Sequence, residues 1–190
     1  MRKLVYYVAV TLDGYIAGPG GEVDFYPLSD TMATWINERY PETVPTHIRR
    51  HAGLEGTPNG TFDTVIMGRS TYEPALAVDI TSPYAHLRQL VVSTTLGTSP
   101  DPAVELVTDD PVEAVRKLKK EDGLDIWLAG GGQLAGALLP EIDGLIVKSY
   151  PVVAGAGIPA FAGPFQPTAF TRTDSISFEN GATVTWFERG

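Results

Sequence analysis

The sequence has no cysteine, which excludes disulfides, thiolate zinc sites and thiol catalysis. No apolar run approaches the roughly 18 residues of a membrane span, so a membrane is not an expected partner. Positive charge is scarce: 14 Lys and Arg stand against 23 Asp and Glu, a formal net charge of −9. The one basic cluster, Arg116, Lys117, Lys119 and Lys120, falls on one expected helix face, and nucleic acid is a poor partner for such a chain. Histidines number three. His47 and His51 stand four apart but lack both an HExxH glutamate and a third ligand, so no metal is expected, and His86 reads as structural. No G-x-S-x-G elbow is present, which removes the serine hydrolases. No linker or charge block divides the 190 residues, so 1–190 reads as one domain, with 41–61 as a loop insertion. The basic start Met1-Arg2-Lys3 leads into strand-like alternation without a cleavage pattern, and the expected location is the cytoplasm.

What is present is an α/β pattern. Lys3 to Val10 is nearly all apolar, as in a central strand covered on both faces. Thr11 to Asp24 is a glycine-rich stretch that reads as a hinged flap. Asp30 to Arg39 has helical spacing and is closed by Pro41. The 41–60 stretch has room for one helical turn around Ile48. Strands follow at Phe62 to Met67, Gln89 to Val92 and Val104 to Val107, then a helix over Pro111 to Glu121 with proline at its start. Asp125 to Pro140 reads strand, three glycines, helix, with Pro140 as the stop. Ile142 to Val153 is expected as a long strand and Gly155 to Gly163 as a loop. Asn180-Gly181 joins two alternating runs, a hairpin signal. A mostly parallel sheet with an antiparallel C-terminal hairpin edge follows.

Three strand ends carry anion donors. Gly130, Gly131 and Gly132 permit a tight turn into a helix whose first N–H groups are free, with Gln133 and Leu134 in its first turn; the same glycines also suit close packing alone. The late position, and the lack of an acidic residue about 20 residues on, argue against a Rossmann fingerprint. Gly68, Arg69, Ser70 and Thr71 open another helix, with Ser70 and Glu73 in capping-box register. A cation there lies on the unfavourable side of the dipole unless an anion accompanies it. Ser93, Thr94 and Thr95 leave a third strand with hydroxyls that suit either a phosphate or a turn. In open α/β sheets ligands gather at strand carboxyl ends. For proton chemistry the candidates are Asp13, Asp24 and Asp30. Asp13 also suits a turn and Asp30 a helix cap, whereas Asp24, under a closed flap, would be desolvated and raised in pKa.

Thr11 to Ala17, Val65 to Glu73, Leu90 to Ser93 and Leu128 to Gly132 occur in the order and spacing of the dihydrofolate-reductase-like superfamily. The chain most resembles stand-alone bacterial proteins similar to the reductase domain of the riboflavin-biosynthesis deaminase/reductase. That resemblance implies a three-layer α/β/α fold, a homodimer, and NADPH lying across the carboxyl edge of the sheet, with NADH not excluded. It implies Arg69 and Ser93 near the 2′-phosphate, Thr71 on the phosphates, Gly131, Gly132 and Gln133 at the pyrophosphate, and Ala9 and Ala17 near the nicotinamide. The implied activity is hydride delivery to a C=N or C=O carbon of a small polar, heterocyclic substrate. Alternatives are a true dihydrofolate reductase, a 5-amino-6-(5-phosphoribosylamino)uracil reductase of the riboflavin pathway, and a dinucleotide-binding sensor without turnover. The missing cysteine and H-x-E signature leave no deaminase half.

Overall fold

In the computed structural model, which describes residues 1–190, the apolar run Leu4–Val10 forms β1 near the middle of an eight-stranded sheet. The chain continues through β2 (Tyr15–Ala17), α1 (Asp30–Arg39), α2 (Thr46–Arg49), β3 (Phe62–Gly68), α3 (Arg69–Leu76), β4 (Arg88–Val92) and β5 (Val104–Val107). There follow α4 (Pro111–Lys120), β6 (Asp125–Gly130), α5 (Gly132–Leu138), β7 (Gly144–Ser149), β8 (Ile158–Pro159), β9 (Phe170–Ser177) and β10 (Thr183–Arg189). Spatial order is β5-β4-β3-β6-β1-β7-β10-β9. The pairs from β5 to β7 are parallel, and β10 runs antiparallel to both β7 and β9. This is the expected mostly parallel sheet with an antiparallel hairpin edge, and the turn at Gly181 has φ of 80°.

Period-two alternation sorts the strands into two cores. Leu4, Tyr6 and Val8 of β1 face α4 and α5, where Val115, Leu118, Leu134 and Leu138 pack. Val5 and Tyr7 face the opposite layer, with Met32 of α1 and Tyr72 of α3. Ile126 and Leu128 against Trp127 repeat the split in β6. Each fully buried side chain of this kind stabilises by about 1.5–3 kcal/mol relative to exposure, which is why β1 reads as an unbroken apolar run.

Several local readings change. Asp30 is not the helix cap: Ser29 Oγ accepts from Met32 N at 3.3 Å, and Asp30 is the first helical residue. The capping box at Ser70 does not form, because the helix begins two residues earlier than that box requires, with Gly68 as an uncapped N-cap. The strand expected over 142–153 is only Gly144–Ser149, because Leu139–Glu141 continues α5 as a 3-10 turn and Pro151 ends the pairing. The Gly155 to Gly163 loop contains β8, which pairs antiparallel with β2. Two members of the basic cluster of α4 are paired within the chain: Lys119 is buried with its Nζ 2.7 Å from Asp143, and Arg116 pairs with Glu113 and Glu141.

The 41–61 segment is anchored rather than loose. It has a 3-10 turn at Pro41–Thr43 and the helical turn at Thr46–Arg49. The buried Glu42 carboxylate accepts from Thr61 N at 2.7 Å and Phe62 N at 2.9 Å, while Arg49 donates to Pro41 O and Thr57 O. His86 closes the joint, with Nε2 2.8 Å from Glu42 O, and burial lowers its pKa. His47 and His51 are exposed. At the amino end of the strands, buried Arg2 donates to Asp63, Thr64 and Leu124, and Arg88 bridges Glu105 and Glu121. No helix is long and apolar enough to cross a membrane.

Candidate active site

β4, β3 and β6 are adjacent and parallel, so their carboxyl ends deliver three turns to one edge of the sheet. Gly68 and Gly130–Gly131 touch: a Cβ on Gly68 would lie 3.7 Å from Gly131 N. Thr71 Oγ1 sits beside the same turn, 3.6 Å from where a Gly130 Cβ would be. Gly130 has φ of 129°, a conformation that favours glycine, and the Gly130–Gly131 peptide is cis. Gly132 is required by packing, since a Cβ there would lie 2.1 Å from Pro159 O. Gly136 faces the same loop, where a Cβ would lie 1.9 Å from Ala162 O. The packing reading of the glycine triad therefore holds at Gly132. Gln133 is exposed at the start of α5, whereas the Leu134 side chain is buried in the core on the α4 side and offers a ligand nothing but its backbone.

Arg69 reaches across the edge. Its Nε donates to Glu73 Oε1 at 2.7 Å and its Nη1 to Thr95 Oγ1 at 2.6 Å, which leaves Nη2 without a partner in the chain. The anion expected beside this cation is supplied in part by Glu73, one turn on, in place of the capping role. Ser93 is buried, and its hydroxyl accepts from Thr95 N at 3.2 Å and Leu96 N at 3.0 Å. It shapes the turn that holds Thr95 against Arg69. Ser70 and Thr94 are exposed beside it.

The flap is pinned at its root. Asp13 accepts from Ala154 N at 3.0 Å, Gly155 N at 2.7 Å and Thr11 Oγ1 at 2.6 Å. The Thr11 hydroxyl, with the two amides, lowers its pKa to about 2, so Asp13 is a clamp carrying no proton near neutrality. Ala160 N donates to Gly14 O, and Ala162 N to Gly132 O, both at 2.9 Å. The 154–162 loop thus holds both the flap and the glycine turn. Ala17 is buried in β2, and Ala9 lies half-buried near the end of β1. Tyr26 roofs this edge: its hydroxyl donates among the Ala9, Tyr15 and Ile16 carbonyls at 3.1–3.3 Å, and its ring lies 4.7 Å from Tyr150.

Neither of the remaining acidic candidates is desolvated. Asp24 and Asp30 are both exposed, so the burial expected to make Asp24 a proton donor is absent. The inward face of α1 presents Met32, Trp35 and Ile36 to the sheet instead. Two polar groups that the sequence reading passed over lie beneath. Lys148 pairs in register with Ala9, and its Nζ stands 4.1 Å from the centroid of the Tyr7 ring. Burial lowers its pKa to about 8. The Tyr7 hydroxyl is fully enclosed with no hydrogen-bond partner. The available signal was a lone lysine in the apolar run Gly144–Ser149, but only the β1–β7 pairing shows what it faces.

Comparison with known proteins agrees with this architecture. A putative riboflavin biosynthesis protein from Shewanella sp. PV-4 superposes with a TM-score of 0.73 at 24% identity, over 100% of this chain and 99% of that one. Dihydrofolate reductase from Enterococcus faecalis, complexed with NADP(H), gives 0.67 at 14% identity, over 99% and 96%. The deaminase/5-amino-6-(5-phosphoribosylamino)uracil reductase of Thermotoga maritima gives 0.65 at 16%, with this chain covering 57% of it. In sequence, the uncharacterized protein YwjB of Bacillus subtilis is 34% identical over 164 residues, 84% of this chain and 83% of the relative. The RibD C-terminal domain family matches residues 2–184, and the chain belongs to that family.

Proposed function

We propose that this protein is a nicotinamide-dependent reductase that delivers hydride to a C=N or C=O carbon of a small polar, heterocyclic substrate. The observation that carries the reading is the convergence of three donor-bearing turns, Gly68–Thr71, Ser93–Thr95 and Gly130–Gln133, at adjacent strand ends. A dinucleotide fits that donor set. The unpartnered Nη2 of Arg69 suits a 2′-phosphate and favours NADPH over NADH, Thr71 and the Gly131–Gln133 backbone would hold the pyrophosphate, and Ala9 and Ala17 would flank the nicotinamide. The bound cofactor supplies the hydride; the chain orients the partners and excludes water with the Tyr26-roofed flap. Two structural neighbours are a deaminase/reductase and a dihydrofolate reductase, the latter complexed with NADP(H), which supports the same class. By the same reading the protein works in the cytoplasm as a homodimer, and the exposed Phe161 and Phe165 mark the contact to test by sedimentation.

The test is a titration with NADPH and NADH followed by fluorescence, then NADPH oxidation against a panel of pterins, pyrimidines and quinones. Tighter binding of NADPH together with turnover of one panel member is the expected result. No binding of either nucleotide sinks the reading. A second reading, a dinucleotide-binding module without turnover, is favoured by the absence of an inward carboxylate on α1. Binding without oxidation of any panel member would select it.

A further inference from the structure

Lys148, on the α1 side of the sheet beside Tyr7, has neither a hydrogen bond nor an ion pair within the chain. The residue is half-buried, and burial lowers its pKa to about 8. Its Nζ lies over the Tyr7 ring of β1, Tyr150 follows two residues on, just past the end of β7, and Tyr26 packs on Tyr150. A cation over an aromatic ring gains something from the ring's quadrupole, but far less than it loses in hydration. Elsewhere this chain compensates its buried cations fully, Arg2 with Asp63 and Lys119 with Asp143. Lys148 is left for something that is not in the chain.

We infer that Lys148, over the Tyr7 ring and in register with Ala9, is the specificity contact for an anionic oxygen on a flat aromatic ligand. The site's location beside Ala9 deepens the reductase reading and takes its substrate side from it. Flat ligands meet ring faces, and the ammonium ranks them by charge. Tyr7 lies under the ammonium and Val184, opposite on β10, does not ionise; around the Tyr7 ring stand Tyr40, Glu42 and Tyr150, and Tyr26 packs on Tyr150. Burial raises all four tyrosines, and the Glu42 carboxylate is occupied by the Thr61 and Phe62 amides. Within this set, the lysine alone changes charge between pH 7 and 9.

The experiment is isothermal titration with 2-naphthoate and with 2-naphthamide, a pair of the same shape differing in charge, on the wild type, Lys148→Met and Lys148→Arg. The wild type should prefer naphthoate at least tenfold at pH 7, and the preference should fade as pH rises through about 8, where the lysine loses its proton. Lys148→Met should lose the preference and melt higher than wild type, because an uncompensated charge has been removed; Lys148→Arg should keep the preference. Equal binding of the two probes by wild type overturns the inference. So does a Lys148→Met protein that melts lower yet keeps the preference, since Lys148 would then be a structural clamp on Tyr7. NADPH is titrated into the same samples. Unchanged NADPH affinity in Lys148→Met is expected, and failure of NADPH to bind even wild type counts against the reductase reading while the naphthoate result stands by itself.

Discussion

The two ends of the sheet handle charge in opposite ways. At the amino end every buried cation has its partners: Arg2 is 6% exposed with Asp63, Thr64 and Leu124 around it, and Lys119 at 8% meets Asp143 and Glu141. At the carboxyl end Arg69 keeps one nitrogen free, Lys148 has no counter-ion and the Tyr7 hydroxyl has no partner. Burying a charge is tolerable only when it is paired and hydrogen-bonded. The amino end obeys that rule for stability, and the carboxyl end leaves Arg69 Nη2 and Lys148 without a partner in the chain.

The comparison can be broken most forcefully at the amino end. Asp63→Ala strands the buried Arg2, and the expected loss is about 3 kcal/mol, the low end for a broken buried pair because Asp63 is one third exposed. Calorimetry should show a melting temperature lower by about 6–12 °C for a chain of this size, with NADPH affinity intact. Next comes Gly136→Ala, whose Cβ would meet the Ala162 carbonyl; overpacking of this kind costs about 1–3 kcal/mol. Here both the melting temperature and NADPH affinity should fall, because the displaced loop also holds Gly132. Arg69→Ala sharpens the contrast from the other side. Its ion pair with Glu73 is exposed and worth at most about 1 kcal/mol, so stability should barely move, while NADPH affinity should drop about tenfold and NADH affinity should not. The smallest effect is expected from Asp13. Its pKa is depressed from 3.8 to about 2, so its contribution is complete above about pH 4 and disappears as pH falls through about 2. Asp13→Asn should flatten that acid arm in a melting-temperature titration and speed amide exchange in Tyr15–Ala17.

The sheet was legible because its chemistry is local: apolar runs of strand length, Asn180-Gly181 between alternating segments, and glycines before a helical stripe each carry their own signature. The three donor turns were found for the same reason. What escaped depends on contacts between distant segments. Ser70 and Glu73 matched a capping box by spacing, yet the helix starts at Arg69 and Glu73 answers the arginine instead. Asp24 was expected to be desolvated under a closed flap, but it is exposed, and Tyr26, two residues past it, packs onto the sheet edge. Asp13 drew notice as an acid, whereas its partners Ala154 and Gly155 come from the far side of the chain. Lys148 became conspicuous only once β7 lay beside β1.

The loop from Ala154 to Ala162 grips the flap through Asp13 and Gly14 and the glycine turn through Gly132. Were the proposed substrate to lie under the flap and the proposed cofactor on the glycine turn, the shared strap would link their binding, and such linkage is reciprocal. Whatever steadies the glycine turn also steadies the flap, and a ligand held under the flap must tighten the turn by the same free energy. Cofactor and substrate would then bind as a cooperative pair even where they never touch, with the strap as the element that communicates between them.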